Sequence, residues 1–112
     1  MIHPSDGRLY AALIGDLVSS RENPGRAGIQ RDLDRVLEQV NGKYSSSIAS
    51  RFTITLGDEF QGLMHPGAPI LSVIHEIEEA LHPQKIRFGI GIGEMTTAIH
   101  ESRALGADGP AY

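Results

Sequence analysis

Two aspartates stand where an aspartate needs a reason. Asp16 closes an otherwise apolar run, Leu9-Tyr-Ala-Ala-Leu-Ile-Gly-Asp-Leu-Val18. A carboxylate at the end of such a run has to be satisfied, either by backbone N–H groups of the following loop or by a cation. Asp58 follows Gly57 in the break between two short segments, where the acidic pair Asp58-Glu59 also suits a solvated turn. If Asp16 and Asp58 converge, each raises the proton affinity of the other unless a cation lies between them. A hard cation with oxygen ligands, Mg2+ or Mn2+, would resolve that conflict. Metal-held carboxylates beside a phosphate-accepting loop are what phosphoryl or nucleotidyl transfer requires. Ser19 and Ser20, just ahead of a helix, offer backbone and hydroxyl donors to phosphates. Gly57 and Arg87 are further candidates for a phosphate or nucleotide, although Arg51 and Arg87 equally suit pairing with surface carboxylates.

These residues need elements to hold them. The run through Leu17 is apolar on both faces and predicts a central strand. Ile29, Leu33, Val36, Leu37 and Val40 share one helical face, with Asn23-Pro24 as a start and Asn41-Gly42 as a stop. Arg51 to Leu56 alternates as a half-buried strand, and Glu59 to Met64 continues as its hairpin partner. Pro66, Gly67 and Pro69 open a second helix with the stripe Ile70, Leu71, Ile74, Ile77 and Leu81, which Pro83 ends. Ile86 to Gly93 is the clearest strand, with Ile86, Phe88, Ile90 and Ile92 on one face and Arg87, Gly89, Gly91 and Gly93 on the other. Three glycines on one strand face suggest a close approach there, by a ligand, a packed helix or a second subunit. A further strand near Met95 to Ile99 and a loop around Gly106 to Pro110 complete the reading.

The order β-α-β-β-α-β predicts an α+β domain of the ferredoxin-like type, a four-stranded antiparallel sheet with both helices on one face. In that topology strands one and three are central neighbours, so Asp16 and Asp58 fall at the same rim.

A chain of 112 residues fits one domain spanning 1–112. Its 40% hydrophobic and 21% charged residues are ordinary for a globular protein. Without cysteine, disulfides and thiolate metal sites are excluded. No signal region or spanning apolar run is visible, so a cytoplasmic location and no membrane partner are expected. A net charge of −4 and the lack of tryptophan argue against direct nucleic-acid binding. His75, Glu79 and His82 share a helical face, for which solvation is the simpler reading than zinc.

Four segments together resemble the SatD family: Leu13-Ile-Gly-Asp-Leu-Val-Ser-Ser-Arg21, Phe52-Thr-Ile-Thr-Leu-Gly-Asp-Glu-Phe-Gln-Gly-Leu63, Ile86-Arg-Phe-Gly-Ile-Gly-Ile-Gly93 and Gly106-Ala-Asp-Gly-Pro-Ala-Tyr112. Members of that family are typically longer, so the resemblance implies a domain truncated at its C-terminus. A more distant resemblance, in three short segments, is to class III nucleotide cyclases and GGDEF diguanylate cyclases. It implies a cyclase-like palm in which Asp16, Asp58 and the Leu17 carbonyl hold the metal. Two departures bear on activity. Ile54 stands where class III adenylyl cyclases carry a base-recognising lysine, and Leu56 replaces the first glycine of the GGDEF motif. The cyclase transition-state Asn and Arg would fall near or beyond Tyr112. The expectation is therefore a divalent-metal-dependent domain that binds a nucleotide or another phosphorylated small molecule in a regulatory role. The alternatives are an active nucleotidyl cyclase or transferase, and a dimerisation or regulatory module with no ligand; a homodimer is compatible with each.

Overall fold

The computed structural model describes residues 8–94; the expected strand near Met95 to Ile99 and the loop at Gly106 to Pro110 lie outside them. Four strands and two long helices follow in the order β1 (Tyr10–Leu17), α1 (Arg26–Lys43), β2 (Ile48–Ile54), β3 (Glu59–Met64), α2 (Ile70–Leu81) and β4 (Ile86–Gly93). The sheet order is β2-β3-β1-β4 and every pair is antiparallel. This is the split βαββαβ, ferredoxin-like α+β arrangement that the sequence order predicts.

Alternation along β1 divides the sheet into two faces. Leu13 and Leu17 point into a core formed with Leu33, Val36, Leu37 and Val40 of α1, Val73, Ile77 and Leu81 of α2, and Phe52, Phe60 and Met64 of β2 and β3. Both helices therefore cover the same face. Tyr10, Ala12 and Asp16 alternate with those core residues and belong to the other face.

Several boundaries differ from the sequence reading. The α1 helix begins at Arg26 with Gly25 as its N-cap, because Asn23 instead accepts the Gly25 N–H on its side-chain oxygen at 2.7 Å. It runs past Asn41-Gly42 to Lys43, whose ammonium bonds Glu76 of α2. The β2 strand starts at Ile48 rather than Arg51, since its first three residues are all buried and show no alternation. In α2, Leu71 is 78% exposed and Val73 takes its place in the buried stripe. On β4 only Ile86 and Phe88 pack on the core, leaving Ile90 and Ile92 about half exposed.

Two glycines keep the sheet and core in contact. At Gly15 and Gly62, the space a Cβ would need is occupied by the rings of Phe60 and Phe52. The Phe60 ring also meets Phe88 edge-on, at 6.1 Å between centroids.

Candidate functional site

At the end of β1 the chain leaves the sheet through Val18 and Ser19 into a short 3-10 turn, Ser20–Glu22. Ser19 has φ +58°, and it is the one non-glycine residue with positive φ among the described residues. A non-glycine residue held in the left-handed region is uncommon, costs roughly 1–3 kcal/mol, and persists only where its surroundings impose it. Opposite, the β2–β3 turn carries Gly57, with φ +60°, and Asp58. Asp16 pairs with Glu59 in the β1–β3 ladder, and the next step brings Leu17 against Asp58, with the Leu17 N–H donating to the Asp58 carbonyl at 3.1 Å. Paired strands lie about 4.8 Å apart, so the two aspartates are diagonal neighbours at one rim.

Their side chains reach that rim from different faces. Asp16 belongs to the face away from the helices and accepts from Arg87 Nη2 of β4 at 3.0 Å, its cross-strand partner. Asp58 turns toward α1 and is 8% exposed. Its Oδ2 accepts from the buried Ser20 hydroxyl. Its Oδ1 accepts from Gln30 Nε2 at 2.8 Å and from the Arg26 guanidinium at 3.3 and 3.4 Å. The Ser20 hydroxyl chiefly, then Gln30 and Arg26, hold the Asp58 carboxyl below its ordinary value of 3.8, against burial, which pushes it up. A buried carboxylate with these donors is stable as an anion.

The rim opens on a cleft of about 330 Å3 lined by Asp16, Leu17, Ser19, Ser20, Glu22, Leu56, Asp58 and Glu59. Five of the seven sequence candidates thus share one cleft: Asp16, Leu17, Ser19, Ser20 and Asp58. Gly57 and Arg87 stand outside its lining, Gly57 as the turn residue before Asp58 and Arg87 as the partner of Asp16. Ser20 is 1% exposed, and its hydroxyl serves Asp58. A larger hollow of about 630 Å3 adjoins this cleft at Ser19; Val18, Ile29, Leu81 and Pro83 give it apolar walls, and Asn23, Asp32, Gln84 and Lys85 polar ones.

Arg26 and Gln30 are site residues that sequence reasoning missed. They are one helical turn apart and so share a face of α1. The signal was a basic residue in the first turn of a helix, where a cation opposes the helix dipole.

Among the described residues, no group of three or more His, Asp or Glu side chains is placed to hold a metal ion. The pair Asp16 and Asp58 offers carboxylate oxygens, the donor type that Mg2+ takes, but from different faces of the sheet, with Arg87 on Asp16 and Ser20, Gln30 and Arg26 on Asp58. That ion commonly takes one or two carboxylates and completes its shell with water and ligand phosphates rather than with a full protein cage.

The SatD family model matches residues 10–112. The chain belongs to the SatD family. No curated protein sequence matches it. Among solved structures, a crystal structure of the guanylyl cyclase Cya2 matches with a TM-score of 0.48 and 18% identity, over 93% of this SatD-family chain and 65% of that chain. The match thus spans just under two thirds of the cyclase chain. Among the described residues of the SatD chain, no helix is long and apolar enough to cross a membrane.

Proposed function

We propose that this domain binds a nucleotide, or another phosphorylated small molecule, together with Mg2+ or Mn2+, in a regulatory role. The observation that carries the reading is the shared cleft: Asp16 and Asp58 line one hollow with Leu17, Ser19 and Ser20 between them. In this reading the two carboxylates and the Leu17 carbonyl hold the cation, which supplies charge neutralisation for the phosphates. Ser19 meets phosphate oxygens, while the buried Ser20 hydroxyl stays on Asp58 and holds that carboxylate in place. Arg87 and Gly57 border the same ligand. The adjoining hollow beyond Ser19, with its mixed walls, takes the organic part of the ligand.

Calorimetry with nucleoside triphosphates in the presence and absence of Mg2+ tests this. Heat that requires both Mg2+ and Asp58 supports the reading, with Asp58→Asn as the control. Flat titrations across the common triphosphates defeat it. Pyrophosphate release on binding would promote the domain from regulatory binder to nucleotidyl transferase.

A second reading has its own support. The Asp58 carboxyl is engaged on both oxygens by Ser20, Gln30 and Arg26. It could serve only to tie the β2–β3 turn to α1, making the domain a ligand-free packing module. Under that reading Asp58→Asn lowers stability and changes no titration.

A further inference from the structure

Each aspartate of the cleft carries an arginine. Arg26 lies on Asp58 at 3.3 Å and Arg87 on Asp16 at 3.0 Å. The pairs are matched in charge, yet they are not built alike from end to end. The Asp58 carboxylate is enclosed, with a side-chain exposure of 9%, and the Asp16 carboxylate is partly buried at 33%. The guanidinium ends are open, at 38% for Arg26 and 75% for Arg87. A guanidinium that is already wet loses little on swinging away, whereas an enclosed carboxylate has to keep a positive partner. Arg26 is also the loosest of the donors on its Asp58 oxygen, at 3.3–3.4 Å against 2.8 Å for Gln30. Its departure leaves Asp58 still bonded to Ser20 and Gln30.

We propose that Arg26 and Arg87 occupy the cation's place in the resting site and transfer to the ligand's phosphates when the cation arrives. The inference rests on the functional reading above and adds a coupling to it. A divalent cation arriving alone must displace two guanidiniums that then have no anion to receive them, and they repel it. A phosphate chain arriving alone meets Asp16, Glu22, Asp58 and Glu59 with both arginines already engaged. Arriving together, the cation takes the carboxylates, and the freed arginines present forked donors that suit phosphate oxygens. Cation and phosphate ligand therefore each strengthen the other's binding, by the same factor in either order.

Calorimetry on the whole chain reads this directly, with Mn2+ alone, inorganic triphosphate alone, and Mn2+ in the presence of triphosphate. In the unmodified protein triphosphate should tighten Mn2+ binding by about tenfold or more, equivalent to about 1.4 kcal/mol. Arg26→Gln keeps a neutral donor beside Asp58; it should bind Mn2+ alone several-fold more tightly, and the tightening by triphosphate should shrink toward none. Arg87→Gln should act in the same direction, and the double variant should abolish the coupling. Arg26→Lys keeps the competing charge but not the fork, so its affinity for Mn2+ alone should stay near that of the unmodified protein. Thermal melting of each variant without ligand confirms that the fold is retained. Coupling that survives in both glutamine variants overturns the transfer while leaving metal-dependent ligand binding intact. Weaker Mn2+ binding in Arg26→Gln also overturns it. Absence of heat in the unmodified protein under every condition overturns both the transfer and the functional reading.

Discussion

The Leu17 N–H and the Asp58 carbonyl are joined at 3.1 Å, so the backbone that follows one aspartate is tied to the backbone that carries the other. This bond sets the Asp58 carboxyl within reach of α1 and of the 3-10 turn before it, where Gln30 and Arg26 of the helix and Ser20 of the turn receive it. Replacing Asp58 by Asn keeps the shape but removes the charge, and one of its two side-chain atoms becomes a donor facing donors. Because hydrogen bonds to a buried charged group are worth roughly 1.5–3 kcal/mol, Asp58→Asn should lower unfolding stability by about 1–3 kcal/mol. Urea titration checks it. A change within experimental scatter would mean that the network is not formed in solution.

Acid sensitivity follows from the same carboxyl. Its folded value lies below the ordinary 3.8, chiefly through the Ser20 hydroxyl. A depressed carboxyl contributes stability that is fully present above its unfolded value and is lost as pH falls through the folded one. Stability of the unmodified domain should therefore fall more steeply below about pH 4 than that of Asp58→Asn. Urea midpoints measured from pH 5 downward give the comparison, and parallel pH profiles would remove Asp58 from the acid response.

The elements that sequence reading recovered best have their information close together along the chain. The β4 strand is bounded as expected because its apolar residues alternate without a break, and Pro69 and Pro83 bracket α2 from either side. The end of α1 was not legible. Asn41-Gly42 has the composition of a helix stop, but the Asn41 side chain is occupied by β2, eleven residues on, and the backbone stays helical to Lys43. The rim shared by Asp16 and Asp58 could be placed from topology alone. Arg26 and Gln30 could not, because their reason for being there lies 28–32 residues away at Asp58, and its one local trace is a basic residue in the first turn of α1.

Gly15 is required by space. The Phe60 ring lies where a Cβ at Gly15 would stand, and that ring is fully buried and meets Phe88 on its edge. Overfilling a packed core typically costs about 1–3 kcal/mol, so Gly15→Ala should destabilise by that amount. Residues in contact do not behave additively, and trimming the ring should relieve the clash. The double variant Gly15→Ala/Phe60→Leu is expected to be more stable than the sum of its single changes, as read from a cycle of urea midpoints. Additive losses would show that the strand backs away from the ring.

Asn41 stands in for a strand. The β2 strand lies at the sheet edge, and its pairing with β3 slips between Ser50 and Thr53. At that slip the Asn41 amide donates to the Phe52 carbonyl at 2.9 Å and its oxygen accepts from the Phe52 N–H at 2.7 Å. One side chain thus satisfies both backbone groups of an edge residue that would otherwise be open to another strand. Asn41→Ala should cost about 1–3 kcal/mol in stability. It should also speed exchange of the Phe52 amide hydrogen selectively, leaving the β1–β4 amides protected. Aspartate at this position keeps the acceptor and loses the donor, so Asn41→Asp should retain protection of that amide while still losing stability. If Phe52 exchanges at the same rate in all three proteins, water replaces the side chain at no cost, and the edge is guarded by something other than Asn41.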